Sequence, residues 1–196
     1  MDVFEAIRGR RSIRKFTDES VNEEDLKKIL ESATLAPSAG NLQPWEFVVV
    51  KDQAIKNKLA RAAYGQSFIA EAPVAIVVCA NVPRTSGHYG SRGASLYCIQ
   101  DTAAATQNIL LAAHALGYGT CWVGAFNESL AAEAINAPEG VRPLAIIPIG
   151  RPAERPSPPQ GPPSKRSSIK IFSGPNPPSS SGFSQTPPGR PQNHLG

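Results

Sequence analysis

Apolar residues recur along the first 150 positions in two rhythms, one helical and one extended. Val3, Phe4 and Ile7 fall at helical spacing within residues 2–9. Leu26, Ile29, Leu30 and Ala33 form a second helical stripe within residues 23–35, and Asn22 ahead of it is a suitable N-cap. Glu46–Lys51 reads as a strand, and a lysine- and alanine-rich helix is predicted over 53–63. Pro73–Ala80 is uniformly apolar, which predicts a strand covered on both faces. Residues 82–93, rich in Arg, Gly and Ser, predict a loop. The longest helix is predicted from about Ala94 to Leu116, with Leu96, Ile99, Ala103, Ile109, Leu110 and Ala113 as its apolar path. Its many alanines permit close packing, as at a core or a subunit interface. Gly117-Tyr-Gly119 ends it, a strand follows over 120–125, then a helix over 128–135 and a last strand over 142–149.

At Gly150 the pattern stops. From Arg151 onward the chain places 12 of its 19 prolines together with nine serines and few large apolar residues. Such a stretch buries too little surface to offset its ordering entropy, so a domain over 1–155 and a disordered or extended tail over 156–196 are expected. The net charge of +4 belongs to that tail, which carries Lys165, Arg166, Lys170 and Arg190 and no acid. The body is electrically balanced, which argues against a nucleic-acid surface. Cys79, Cys98 and Cys121 are widely spaced and contain no C-x-x-C, so buried reduced thiols are expected rather than disulfides or a metal site. The first residues are amphipathic and charged, unlike a signal peptide, and no apolar run reaches membrane-spanning length. These features predict a cytoplasmic protein without a membrane or nucleic-acid partner.

Familiar catalytic motifs are absent: there is no G-x-G-x-x-G, P-loop, H-E-x-x-H or G-x-S-x-G. His194 lies in the tail, and His114 in the alanine-rich helix reads as packed or solvated. Three other stretches suit one ligand. Arg10, Arg11 and Arg14 with the Ser12 hydroxyl form a candidate phosphate cradle, because guanidinium forks bind phosphate oxygens in pairs. Ala36–Trp45 sets Pro37, Ser38, Ala39, Gly40, Asn41, Gln43 and Pro44 between a helix and a strand, offering donors and acceptors to a flat, polar-edged ring. Gly119–Phe126 ends in Val123-Gly124-Ala125, where backbone amides lie beside a surface without bulky side chains. A phosphate cradle, a polar ring-edge loop and an amide-lined strand end together describe a site for flavin mononucleotide.

Residues 1–155 resemble the FMN-dependent nitroreductase family. The resemblance rests on Arg10-Arg-Ser-Ile-Arg14, Pro37-Ser-Ala-Gly-Asn-Leu-Gln-Pro-Trp45, Tyr89-Gly-Ser-Arg-Gly93, Gln100-Asp-Thr-Ala-Ala-Ala-Thr-Gln-Asn108 and Cys121-Trp-Val-Gly-Ala-Phe126, in that order. It implies an α+β sandwich, a mainly antiparallel sheet flanked by helices, assembled as an intertwined homodimer with FMN at the interface. It further implies that Arg10, Ser12 and Arg14 hold the phosphate and ribityl chain, and that Pro37, Ser38, Ala39 and Asn41 approach the ring from the partner subunit. Gln66 is expected at the ring edge, with Val123 and Gly124 against the isoalloxazine, one of them donating an N–H to N5.

The activity so implied is ping-pong hydride transfer from NADH or NADPH through flavin N5 to a small electron-poor acceptor such as a nitroaromatic, quinone or enone. His88, Tyr89 and Arg92 are the candidate substrate contacts; no side chain is assigned acid–base catalysis, and no metal is expected. A flavin-dependent dehydrogenase or dehalogenase of the same family is an alternative. Another is a non-catalytic flavin-binding scaffold whose proline-rich tail, with P-x-x-P at Pro156–Pro159 and Pro175–Pro178, recruits a partner. The tail departs from the family, whose members close the phosphate site with a C-terminal Arg or Lys; Lys165 and Arg166 are the nearest substitutes here.

Overall fold

A computed structural model describes residues 1–158 of the chain. Among these residues one sheet has four strands, β1 (Trp45–Val50), β2 (Val74–Asn81), β3 (Gly119–Thr120) and β4 (Val141–Gly150). They lie in the order β1-β2-β4-β3, and every pair is antiparallel.

Seven helices accompany them among the described residues: α1 (Val3–Gly9), α2 (Glu23–Thr34), α3 (Gln53–Ala62), α4 (Phe68–Glu71), α5 (Val82–Arg92), α6 (Cys98–Ala115) and α7 (Glu128–Ala134). Successive residues of β2 feed opposite sides of the sheet. Val74, Ile76 and Val78 join Ala145, Ile147 and Ile149 of β4 under α2 and α6. Ala75, Val77 and Cys79 join Ile146 under α3, α4 and α7. Burial on both faces is why β2 reads as an unbroken apolar run, and it gives the expected α+β sandwich.

The prolines of β4 fall where a missing N–H is harmless. Pro143 lies beside the register shift opposite Val78 and Cys79. Pro148 lies between the Val123–Ile146 bridge and the point where β3 begins to pair at Ile149.

Two expectations change. Residues 82–93 are helical, not a loop, because the Asn81 side chain accepts the Arg84 N–H at 3.2 Å and Pro83 fits the first turn. The helix kinks at Gly90 and continues through a wide turn, Gly93–Tyr97, into α6. A side chain at Gly93 would strike the Thr85 carbonyl, so this junction requires glycine. The strand expected over 120–125 shrinks to Gly119–Thr120 plus one bridge at Val123, beyond which the chain leaves the sheet.

Candidate functional site

The stretch after α1 runs extended beside β3. Ser12 bridges Thr120, and the Ile13 N–H donates to the Thr120 carbonyl at 2.9 Å. Ile13 is buried, and a side chain at Gly119 would meet it at 2.8 Å, so this contact depends on glycine. Extended backbone sends alternate side chains to opposite sides, which divides the predicted cradle. Ser12, Arg14 and Arg10 surround the buried Cys121, whose thiol is pushed up by burial while Arg14, the Ser12 hydroxyl and Arg10 pull it down. The Arg14 guanidinium lies 5.8 Å from the Phe68 ring centroid, within cation–π reach. Arg11 turns back instead, its Nη1 donating to the Arg8 and Arg10 carbonyls at 2.6 and 2.7 Å.

Gln66 Nε2 donates to the Ala63 and Ala125 carbonyls at 3.0 and 3.2 Å, tying it to the segment after Val123. The backbone distinguishes the two amides proposed for the ring. Val123 N–H is spent on the Ile146 carbonyl at 3.0 Å, whereas Gly124 N–H has no acceptor among the described residues. Arg10, Ser12 and Arg14 therefore gather around Cys121, with Arg10 also beside His114 at the C-terminal end of α6, while Gln66 is held against the segment that follows Gly124.

The turn Pro37–Asn41 sits at the other end of that helix. Gly40, Asn41 and Gln43 all adopt left-handed φ, at 57, 55 and 49°. The Ala39 N–H donates to Asp101 Oδ1 at 3.1 Å, and the Gln43 N–H to Ser38 Oγ at 3.0 Å. A side chain at Gly40 would lie 2.5 Å from the Tyr89 hydroxyl oxygen. Tyr89 packs edge-on against His88 and Tyr97, with centroids 4.5 and 5.1 Å apart, and Arg92 Nε donates to the Tyr97 hydroxyl at 2.9 Å. Arg84 closes the outer side, donating to the Gln43 carbonyl and pairing with Glu46 at 2.8 Å. The three predicted substrate contacts thus belong with the turn, through Tyr89, and not with the Arg10–Arg14 stretch.

Asp101 and His114, at these two ends, are thirteen residues apart, roughly 20 Å along a helix rising 1.5 Å per residue. One chain does not bring its two sets of predicted residues together. Each set nonetheless contains one of the two buried side-chain atoms without a partner among the described residues, Asp101 Oδ2 and Thr120 Oγ1. Burial pushes the Asp101 carboxyl up, against the Ala39 N–H that lowers it.

Sequence reasoning missed both residues, and also Glu154, whose Oε1 accepts the Arg14 and Lys15 N–H groups at 2.5 and 3.1 Å. Asp101 alone left a trace, as the single acid in an alanine-rich helix. Lys165 and Arg166 lie outside the described residues. Among the described residues no helix is long and apolar enough to cross a membrane, and no cluster of His, Cys, Asp and Glu could hold a metal.

An antiparallel α+β sandwich with charged and polar half-sites at the ends of one central helix defines the class. The particular family follows from comparison: the Nitroreductase family profile matches residues 7–68 and 61–151, and the chain belongs to that family. A Methanothermobacter thermautotrophicus protein with the provisional name NADH dehydrogenase/NAD(P)H nitroreductase is 41% identical over 162 residues, 80% of each chain. The FMN reductase [NAD(P)H] of Bacillus subtilis is 33% identical, over 79% of this chain and 67% of that one. A nitroreductase family crystal structure from Clostridium novyi NT superposes with a TM-score of 0.71 at 36% identity, over 78% of this chain and 86% of the other.

Proposed function

We propose that two copies of this chain pair along α6 and hold one FMN at each end of the pair. Each flavin would lie between the Arg10–Gly124 half-site of one copy and the Pro37–Asn41 turn of the other. The chain is an NAD(P)H-dependent flavin oxidoreductase; the arrangement of its site is what is proposed here. The observation that carries it is the roughly 20 Å between half-sites on one helix, because an antiparallel pairing sets opposite ends side by side. Met1, Val3, Phe4 and Ile7 add support: they are 54–67% exposed, an unusual amount of apolar surface for one short segment.

The residues fit the cofactor chemically. Arg10 and Arg14 supply paired donors and positive charge to a phosphate, and the Ser12 hydroxyl adds a third donor. Gly124 N–H is free to donate to N5, a task for which Val123 N–H is already engaged. Gln66, fixed through its amide nitrogen, keeps its carbonyl oxygen open toward the ring edge. In the turn, Asn41 uses its amide oxygen for Gln43 Nε2 at 3.1 Å and keeps its two N–H donors for a ligand. Bound FMN would supply the redox chemistry that links NAD(P)H to an electron-poor nitroaromatic, quinone or enone, with donor and acceptor using the same place in turn. Pro37, Ser38 and Ala39 shape that place, and His88, Tyr89 and Arg92 border it.

The test is the visible spectrum of the purified full chain with added FMN, before and after anaerobic NADPH and, separately, NADH. Bleaching by either donor and recovery with a quinone is the expected result. A chain that cannot be reconstituted with FMN would overturn the reading.

A further inference from the structure

Helix α5 carries two arginines in opposite circumstances. Arg84, near its start, is neutralised: it pairs with Glu46 and donates to the Gln43 carbonyl. Arg92, in its last turn, is exposed and reaches no carboxylate among the described residues. Its Nε donates to the Tyr97 hydroxyl at 2.9 Å, and its guanidinium carbon lies 5.3 Å from the Tyr97 ring centroid. A phenol tethers the group without cancelling its charge, as Glu46 does for Arg84. Nη1 and Nη2 keep their N–H donors, with no acceptor for them among the described residues.

This placement depends on an unusual backbone. The left-handed φ of 57° at Gly90 breaks α5, and the wide turn Gly93–Tyr97, with its five-residue spacing, brings Tyr97 round to Arg92. Wide turns of this kind recur at functional sites. Tyr97 meets Tyr89 edge-on at 5.1 Å, and Tyr89 meets His88 at 4.5 Å. The Tyr89 hydroxyl in turn lies against Gly40. A row of rings thus leads from the Pro37–Asn41 turn to a cation with an open fork.

We propose that Arg92 is a specificity-determining residue that reads a carboxylate on the aromatic acceptor, so that acidic electron-poor rings are favoured over neutral rings of the same shape. A guanidinium held at Nε presents its outer edge as a fork that matches two carboxylate oxygens. The tyrosines and His88 offer edge and face contacts to any aromatic acceptor, charged or not. An acidic ring gains the fork in addition. This preference rests on the flavin site proposed above, which brings the acceptor to the turn.

The test compares para-nitrobenzoate with para-nitrobenzamide in the FMN-loaded full chain, followed by NADH oxidation. The two probes differ in charge and hardly in size. Each nitro reduction takes hydride from NADH and a proton from solvent, and leaves the nitroso compound, NAD+ and water. The substituents also differ in electron withdrawal, so the quantity to read is the ratio of kcat/KM for the acid to that for the amide, and its change on substitution. In Arg92→Gln this ratio should fall about fivefold, the worth of a well-formed exposed ion pair, with KM for the acid carrying the change. Arg92→Lys, which keeps the charge without the fork, should fall between the two. Added salt should lower the ratio in the unaltered chain, a measurement that needs no variant. A ratio that neither Arg92→Gln nor salt moves overturns the proposal. So does a selectivity lost only between NADPH and NADH, which would give Arg92 to the donor. A chain that takes up FMN and oxidises NADH without any such charge preference sinks this inference alone, whereas a chain that never binds FMN removes the flavin reading beneath it.

Discussion

At the C-terminal end of α6, guanidinium groups and an imidazole stand over backbone fixed by strand pairing. At its N-terminal end, three of four consecutive residues are left-handed, and the turn is held by one carboxylate oxygen and a tyrosine edge. The first end is electrostatic and stiff: its ligands are placed by the Ser12–Thr120 and Val123–Ile146 bridges. The second is uncharged in the turn itself and strained, for Asn41 and Gln43 adopt a backbone conformation costly to residues with a side chain. Charge attracts a ligand from a distance and loses strength in salt, whereas a preformed turn selects shape at contact. In the proposed pair the two ends of the helix thus divide affinity and fit between them.

Substitutions can break that division at either end. The largest effect is expected from Arg14→Ala, which removes charge-assisted hydrogen bonds worth about 1.5–3 kcal/mol. FMN affinity in a fluorescence-quenching titration should fall on the order of 10- to 100-fold, and the salt dependence of binding should shrink with it. Unchanged affinity would remove Arg14 from the cradle.

At the other end, Asp101→Leu frees the Ala39 N–H, and about tenfold weaker FMN binding is expected from the loss of roughly 1–1.5 kcal/mol of anchoring. Asp101→Asn keeps an acceptor and should restore most of it. If both variants lose equally, hydrogen bonding is not what fixes the turn.

Gly40→Ala tests the strain directly. A methyl group there meets both a φ of 57° and the Tyr89 hydroxyl, so unfolding in urea should show a loss of about 1–2 kcal/mol. Combining it with Tyr89→Phe should recover part of that loss, and simple additivity of the two changes would show that the hydroxyl is not the obstacle.

The pH dependence is smaller and has a definite sign. Asp101 keeps its proton above the ordinary carboxylate value of 3.8 in the folded chain, so stability should decline as pH rises from that value through the raised one. Asp101→Asn should flatten this segment of the urea-midpoint profile. The least change in stability is expected from Gly124→Ala, because the added carbon meets Trp122 only at 3.7 Å; the urea midpoint should correspond to a shift of no more than about 0.5 kcal/mol.

What is legible in the sequence follows this division of labour. β2 and β4 announce themselves because both faces of each are covered, leaving apolar runs that admit little else. The cradle and the turn are visible as local composition, since arginines, short polar residues and glycine have few other reasons to cluster. Arg11 groups with its neighbours in the sequence because composition does not reveal facing; burial of Ile13 turns the odd-numbered residues away from Cys121. Helix α5 is hidden by residues of low helical preference, chiefly Gly87 and Gly90, and exists through the Asn81 cap and its packing. Asp101 acts through a partner far along the chain, Ala39 being 62 positions away, and no local pattern encodes such a pairing.

The length of α6 carries a further consequence. In the proposed pair it is a gauge, because the distance between the two ligand-binding halves of a chain is counted in helical residues. Adding one full turn would move one half by about 5.4 Å relative to the other, and adding a single residue would also rotate it by about 100°. Insertions can be absorbed in the loops that border the sheet without disturbing either half. Within 102–113 they cannot, so the dimension of this helix is as constrained as the identity of any residue that touches a ligand.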